Sequence, residues 1–79
     1  MAAAHAQPTI LVLGDSISAA YGIQREQGWV QRLAERVAGM DPSWQVINAS
    51  ISGETTGGGL ARLPDSLETH DPDVLIIEL

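Results

Sequence analysis

Two apolar runs constrain this chain more than any other feature. Thr9-Ile10-Leu11-Val12-Leu13 stands near its start and Val74-Leu75-Ile76-Ile77-Glu78-Leu79 at its far end. Both are rich in β-branched residues, and neither alternates apolar with polar as a half-buried strand does. Continuous runs of this kind belong to strands covered on both faces, and such strands are parallel and central. Parallel neighbours cannot be joined by a tight turn. They need long crossovers, usually helical.

The intervening sequence supplies them. Val30, Leu33, Ala34 and Val37 fall at i, i+3, i+4 and i+7, one face of a helix, with Gln31, Arg32, Glu35 and Arg36 on the other. Gly39 suits the position just past that helix, and Pro42 cannot continue it. Trp44-Gln45-Val46-Ile47-Asn48-Ala49 reads as a more mixed strand suited to a sheet edge. A second helical stretch runs from about Thr55 to His70, with Leu60, Leu63 and Leu67 on one face. Pro64 is expected to break or kink it, or to open a fresh turn. Gly57-Gly58-Gly59 is expected to leave its start weak and flexible. The order β-α-β-α-β, with right-handed crossovers, predicts an α/β fold with a flavodoxin-like parallel sheet in strand order 2-1-3.

Seventy-nine residues amount to one small domain or a piece of one. A final strand that is apolar on both faces at an open edge would template aggregation. The expectation is therefore that residues 7–79 are the N-terminal part of a larger domain, truncated at Leu79. Met1–Ala6 reads either as a leader remnant or as a disordered start. Ala4-His5-Ala6 fits a small-x-small cleavage site before Gln7, although the charged and apolar regions of a signal peptide are missing. Under the first reading the protein is periplasmic or secreted, and under the second it is cytoplasmic.

Charge and composition narrow the partners. Four basic and ten acidic residues give a net charge of −6, with no Lys/Arg cluster to hold phosphates. That excludes nucleic acid as a partner on electrostatic grounds. No apolar run reaches the ~20 residues of a membrane-spanning helix. The chain has no cysteine, which removes disulfides and thiolate metal sites.

In an open parallel sheet, ligands bind beyond the C-terminal ends of the strands, near the switch in strand order. The first strand leads there through Gly14-Asp15-Ser16. A serine at that place is a candidate nucleophile, provided a base takes its proton and backbone N–H groups hold the oxyanion. The Ser16 N–H is one candidate donor. The loop after the second strand carries Gly53, whose N–H is the other. On the tripeptide Gly-Asp-Ser alone, a capping or turn serine is the better explanation.

A resemblance favours the nucleophile. The stretch Ile10-Leu11-Val12-Leu13-Gly14-Asp15-Ser16-Ile17-Ser18-Ala19-Ala20-Tyr21-Gly22 resembles the first block of the SGNH (GDSL-type) hydrolases. Asn48-Ala49-Ser50-Ile51-Ser52-Gly53-Glu54-Thr55-Thr56 resembles their second. Gly59-Leu60-Ala61-Arg62-Leu63-Pro64 and the last strand extend the match over nearly all of residues 9–79. They liken the chain to the bacterial thioesterase I, lysophospholipase L1 and TesA-type arylesterase group. The resemblance implies a three-layer α/β/α fold and cofactor-free, metal-free hydrolysis of small-molecule acyl esters and thioesters through an acyl-serine. It implies Ser16 as nucleophile and first oxyanion donor, Gly53 as second donor, and Asp15 as a support of the nucleophile loop. The family's Gly-x-Asn-Asp and Asp-x-x-His motifs do not occur in these residues, so the fragment alone is expected to be inactive.

Other readings stay open at this stage. A carbohydrate O-acetylesterase of the same superfamily would share Ser16 and Gly53. A non-catalytic flavodoxin-like module would use the strand-end loops for a phosphate or nucleotide. His70 with Asp71 or Asp73 is not expected to serve Ser16. The pair sits at the start of the last strand, roughly 15–20 Å away at about 3.3 Å per strand residue. Gly57-Gly58-Gly59 lacks the residues of a phosphate-binding loop. Trp29 and Trp44 read as packing residues. Glu78 either reaches the crevice or pairs with a residue beyond this chain.

Overall fold

A computed structural model describes residues 7–79. The expectations for Met1–Ala6, including His5, lie outside the described residues. The chain forms β1 (Thr9–Gly14), a short 3-10 turn (Arg25–Gln27), α1 (Trp29–Met40), β2 (Gln45–Asn48), α2 (Thr56–His70) and β3 (Val74–Glu78). The three strands make one parallel sheet in the order β2-β1-β3, as the sequence implied.

Register determines which side chains share a face. Ile10 lies beside Val46 and Val74, and Leu11 beside Ile47 and Leu75. Successive residues of a strand point to opposite faces. Ile10 and Val74 line one hollow with Val37, Met40 and Trp44, on and just beyond α1. Leu13 and Ile77 line another with Gly59, Leu60 and Leu63 on α2. The two helices thus cover opposite faces, giving three layers. Leu11, Val12 and Leu13 of the central strand are fully buried and, with Val30, form the apolar core. Trp44 is half-buried and packs as expected.

Three local expectations need correction. Gly39 is not the residue past α1: the helix runs through it to Met40 and is capped by Asp41, whose N–H donates to the Val37 carbonyl. Nothing crowds Gly39, so the helix continues through it at a small loss of propensity. Pro64 neither breaks nor ends α2, which is continuous from Thr56 to His70. The ring removes the N–H that would have bonded the Leu60 carbonyl. The helix carries that loss at Leu60, on its solvent-exposed side. The Gly57-Gly58-Gly59 run is helical rather than a loose start. Thr55 caps it, its Oγ1 accepting from the Gly58 N–H at 3.0 Å. Gly59 packs closely: a Cβ there would stand 3.2 Å from Leu13 Cδ2 and 2.6 Å from Leu79 Cδ1, so both leucines would have to shift to admit one.

At the lower end of the sheet, α2 stops at Asp71, which takes the left-handed conformation with φ 44°. The Thr9 N–H donates to Asp73 Oδ2 at 2.8 Å, and the Asp73 N–H donates to the Thr9 carbonyl at 2.9 Å. The turn Asp71-Pro72-Asp73 is thereby tied to the first residue of β1.

Candidate active site

The upper end of the sheet is where β1 and β2 release their chains. Backbone pairing continues past the regular strands. The Ala49 N–H donates to the Val12 carbonyl at 2.8 Å, and the Ile51 N–H to the Gly14 carbonyl at 3.0 Å. Ser16 lies two residues beyond Gly14 and Gly53 two beyond Ile51. Both therefore stand in loops that leave adjacent strands side by side, at the same level. Gly53 has φ 86°, a conformation that glycine adopts without penalty. Among the described residues, no hydrogen bond engages the Ser16 hydroxyl, the Ser16 N–H or the Gly53 N–H.

The Ser16 loop is built by short-range bonds. Asp15 Oδ1 accepts from the Ile17 N–H at 3.0 Å, folding the chain over Ser16. The Asp15 carbonyl accepts from the Ala19 N–H at 3.0 Å, and the Ser16 carbonyl from the Tyr21 N–H at 3.0 Å. Ala20 then turns left-handed with φ 62°, a conformation costing a non-glycine residue about 1–2 kcal/mol. Ser16 itself is half-buried.

A second set of bonds ties this loop to the rest of the fold, and sequence reasoning missed most of it. Ser18 is only 1% exposed. Its Oγ donates to Glu78 Oε1 at 2.6 Å and accepts from Trp29 Nε1 at 2.9 Å. Its carbonyl accepts from Asn48 Nδ2 at 2.8 Å. Glu78 Oε1 also accepts from the Asp15 N–H at 3.3 Å. Glu78 thus reaches the loop that carries Ser16 and finds partners within this chain. Trp29 is more than a packing residue, because its indole N–H is a member of the network. The one signal in the sequence was a carboxylate inside an otherwise apolar strand, which has to find donors.

The Gly53 loop is held differently. The Asn48 side chain accepts from the Ser50 N–H at 3.1 Å, and the Ile51 carbonyl from the Glu54 N–H at 3.0 Å. Glu54, next to Gly53, forms an ion pair with Arg62 of α2. Two buried polar atoms here, Ser50 Oγ and Arg62 Nη2, make no hydrogen bond among the described residues.

His70 stays at the lower end. It closes α2 ahead of β3, whose first residue pairs with Ile10 near the start of β1. The sheet lies between it and Ser16, as anticipated. No helix among the described residues is long and apolar enough to cross a membrane.

Ser16 thus stands between a strand end and a tight turn, with unengaged N–H groups in two adjoining loops. Residues 12–79 match the GDSL-like lipase/acylhydrolase family, and the chain belongs to that family. It is 53% identical over 74 residues to the esterase TesA of Pseudomonas aeruginosa, covering 94% of this chain and 37% of that protein. It is 42% identical over 80 residues to thioesterase 1/protease 1/lysophospholipase L1 of Escherichia coli K12, covering 96% of this chain and 35% of that protein. A crystal structure of TesA superimposes with a TM-score of 0.86 at 54% identity, over 90% of this chain and 39% of the other. The chain therefore spans little more than a third of the length of these relatives.

Proposed function

We propose that this segment provides the nucleophile and two oxyanion donors of a serine hydrolase acting on acyl esters and thioesters. The observation that carries the reading is the Ile51 N–H to Gly14 carbonyl bond, 3.0 Å long. It keeps the two loops in step at adjoining strand ends, which supports the groups at positions 16 and 53 serving one site. The relatives' names, esterase and thioesterase/lysophospholipase, support acyl esters and thioesters over acetylated sugars. Family membership supports an enzyme over a passive phosphate-binding module.

In this reading Ser16 Oγ attacks the acyl carbonyl carbon and gives its proton to a base. The carbonyl oxygen becomes an anion and rests on the N–H groups of Ser16 and Gly53. Collapse of that intermediate expels the alkoxide or thiolate, which takes up the proton and leaves an acyl-serine for water to cleave. Asp15 supports the step by shaping the turn that presents Ser16. His70 is too distant to be the base, since a base must come within about 2.6–3.2 Å.

Two measurements test the proposal. A fluorophosphonate should label Ser16 in the complete enzyme, and Ser16→Ala should abolish both labelling and turnover, a loss of about 10⁴-fold or more. The 79-residue chain alone should not hydrolyse p-nitrophenyl butyrate. Labelling at another residue, or Ser16-dependent turnover by the short chain, would refute the respective claim.

A further inference from the structure

We infer that Glu78 is a positioning residue for the nucleophile turn, acting through the Asp15 N–H and the buried Ser18 hydroxyl. The inference rests on the reading of Ser16 as nucleophile and deepens it.

The geometry is specific. Ser16 sits between the two residues that Glu78 holds. One carboxylate oxygen takes the Asp15 N–H at 3.3 Å and the Ser18 Oγ–H at 2.6 Å. Bonds to a charged acceptor are shorter and stronger than neutral ones. The Ser18 hydroxyl has one proton to give, and Trp29 Nε1 donates to its oxygen at 2.9 Å, which leaves the proton for Glu78. The direction of the chain Trp29 to Ser18 to Glu78 is therefore fixed. Asn48 Nδ2, bonded to the Ser18 carbonyl at 2.8 Å, adds a tie from β2. The turn is thus pinned from α1, β2 and β3 together, by partners far apart in sequence.

The glycine before the turn belongs to the same device. Gly14 and Glu78 are partners in register. A Cβ on Gly14 would stand 2.6 Å from Ser18 Oγ and 2.8 Å from Glu78 Oε1. The space that a side chain at position 14 would need is taken by the two atoms of the network. A carboxylate in an apolar strand is costly to bury, and here its donors come from the residues flanking the nucleophile. Displacing a reacting group by about 1 Å can cost on the order of 10²-fold in rate. Holding the turn is thus a catalytic matter as well as a structural one.

The test uses the complete enzyme that carries this segment. Active sites are titrated with a fluorophosphonate, and p-nitrophenyl butyrate turnover is expressed per titrated site. Glu78→Ala should lower kcat per site by roughly 10–100-fold with KM nearly unchanged. Glu78→Gln keeps an oxygen acceptor and should recover most of that loss. A role confined to stability would lower the number of titratable sites and the melting temperature but leave kcat per site unaltered. Turnover per site within twofold of wild type in Glu78→Ala would overturn the inference. Should that variant fail to fold, Ser18→Ala decides: a fall of about 3–10-fold in kcat per site supports the inference, and no change overturns it. Failure of the wild-type enzyme to label at Ser16 would overturn the nucleophile reading itself, a separate outcome visible before any variant is made.

Discussion

The loops after β1 and β2 leave the sheet together and each carries one candidate catalytic group, yet they are held to different degrees. The Ser16 loop is clamped by long-range bonds: Glu78 from β3, Trp29 from the start of α1 and Asn48 from β2 all reach it. Its central anchor, Ser18, is buried with its hydroxyl both donating and accepting. The Gly53 loop has one long-range tie, the Ile51 N–H to the Gly14 carbonyl, and otherwise relies on nearer neighbours, Asn48 to Ser50, Ile51 to Glu54, and Glu54 to Arg62. It also keeps two buried polar atoms, Ser50 Oγ and Arg62 Nη2, without partners among the described residues. A group that must attack along one line gains from rigid placement.

The contrast extends to the two glycines, which are required for different physical reasons. Gly14 is needed for room, and Gly53, where a Cβ would meet nothing within 4 Å, for its φ of 86°. Substitutions separate these causes. The largest effect is expected at Gly14. Gly14→Ala drives a methyl into Ser18 and Glu78 and should destabilise by about 1–3 kcal/mol in denaturant unfolding. In the complete enzyme it should also lower turnover. An unchanged midpoint would show that the network yields easily. Gly53→Ala should cost less, about 1–2 kcal/mol, through left-handed strain alone. Gly53→Asn should recover part of it, because Asn tolerates that conformation, whereas Gly14→Asn should be no better than Gly14→Ala. Equal behaviour of Ala and Asn at position 53 would remove the distinction between the loops.

The smallest effect lies outside both loops and serves as a reference for them. Asp41, at the end of α1, accepts from the Ser43 hydroxyl at 2.7 Å and the Ser43 N–H at 3.0 Å. These bonds hold its carboxyl below the usual carboxylate range. A carboxyl whose folded pKa is depressed stabilises the fold above its unfolded value, near 3.9, and loses that contribution as pH falls through the folded value. Asp41 is fully exposed, so the contribution is small and screened by salt. Its carboxyl carbon resonance, followed by NMR through acid, should titrate later than that of an unbonded aspartate. A midpoint at or above the ordinary value would contradict the turn geometry.

Much of the architecture was legible in the residues themselves. The apolar runs at Thr9–Leu13 and Val74–Leu79 and the heptad-like face of Val30, Leu33, Ala34 and Val37 announced a buried parallel sheet with crossing helices. The strand order 2-1-3 followed from that. Burial of apolar surface is written into local periodicity, so a linear reading recovers it. The same holds for placing Ser16 and Gly53 at adjacent strand ends and His70 at the other end. What the local reading misjudged were residues whose local preference was overruled. Pro64 and the Gly57-Gly58-Gly59 run disfavour a helix, but α2 is stabilised by Thr55 at its start and by close packing of Gly59 on Leu13. The partner of Glu78 was beyond reach for a further reason. It bonds Ser18 from sixty positions away. Which donors a carboxylate finds depends on strand register and on the rotation of α1 over the sheet. Those are properties of the assembled tertiary structure, because hydrogen bonds act over a few ångströms in space whatever the separation along the chain.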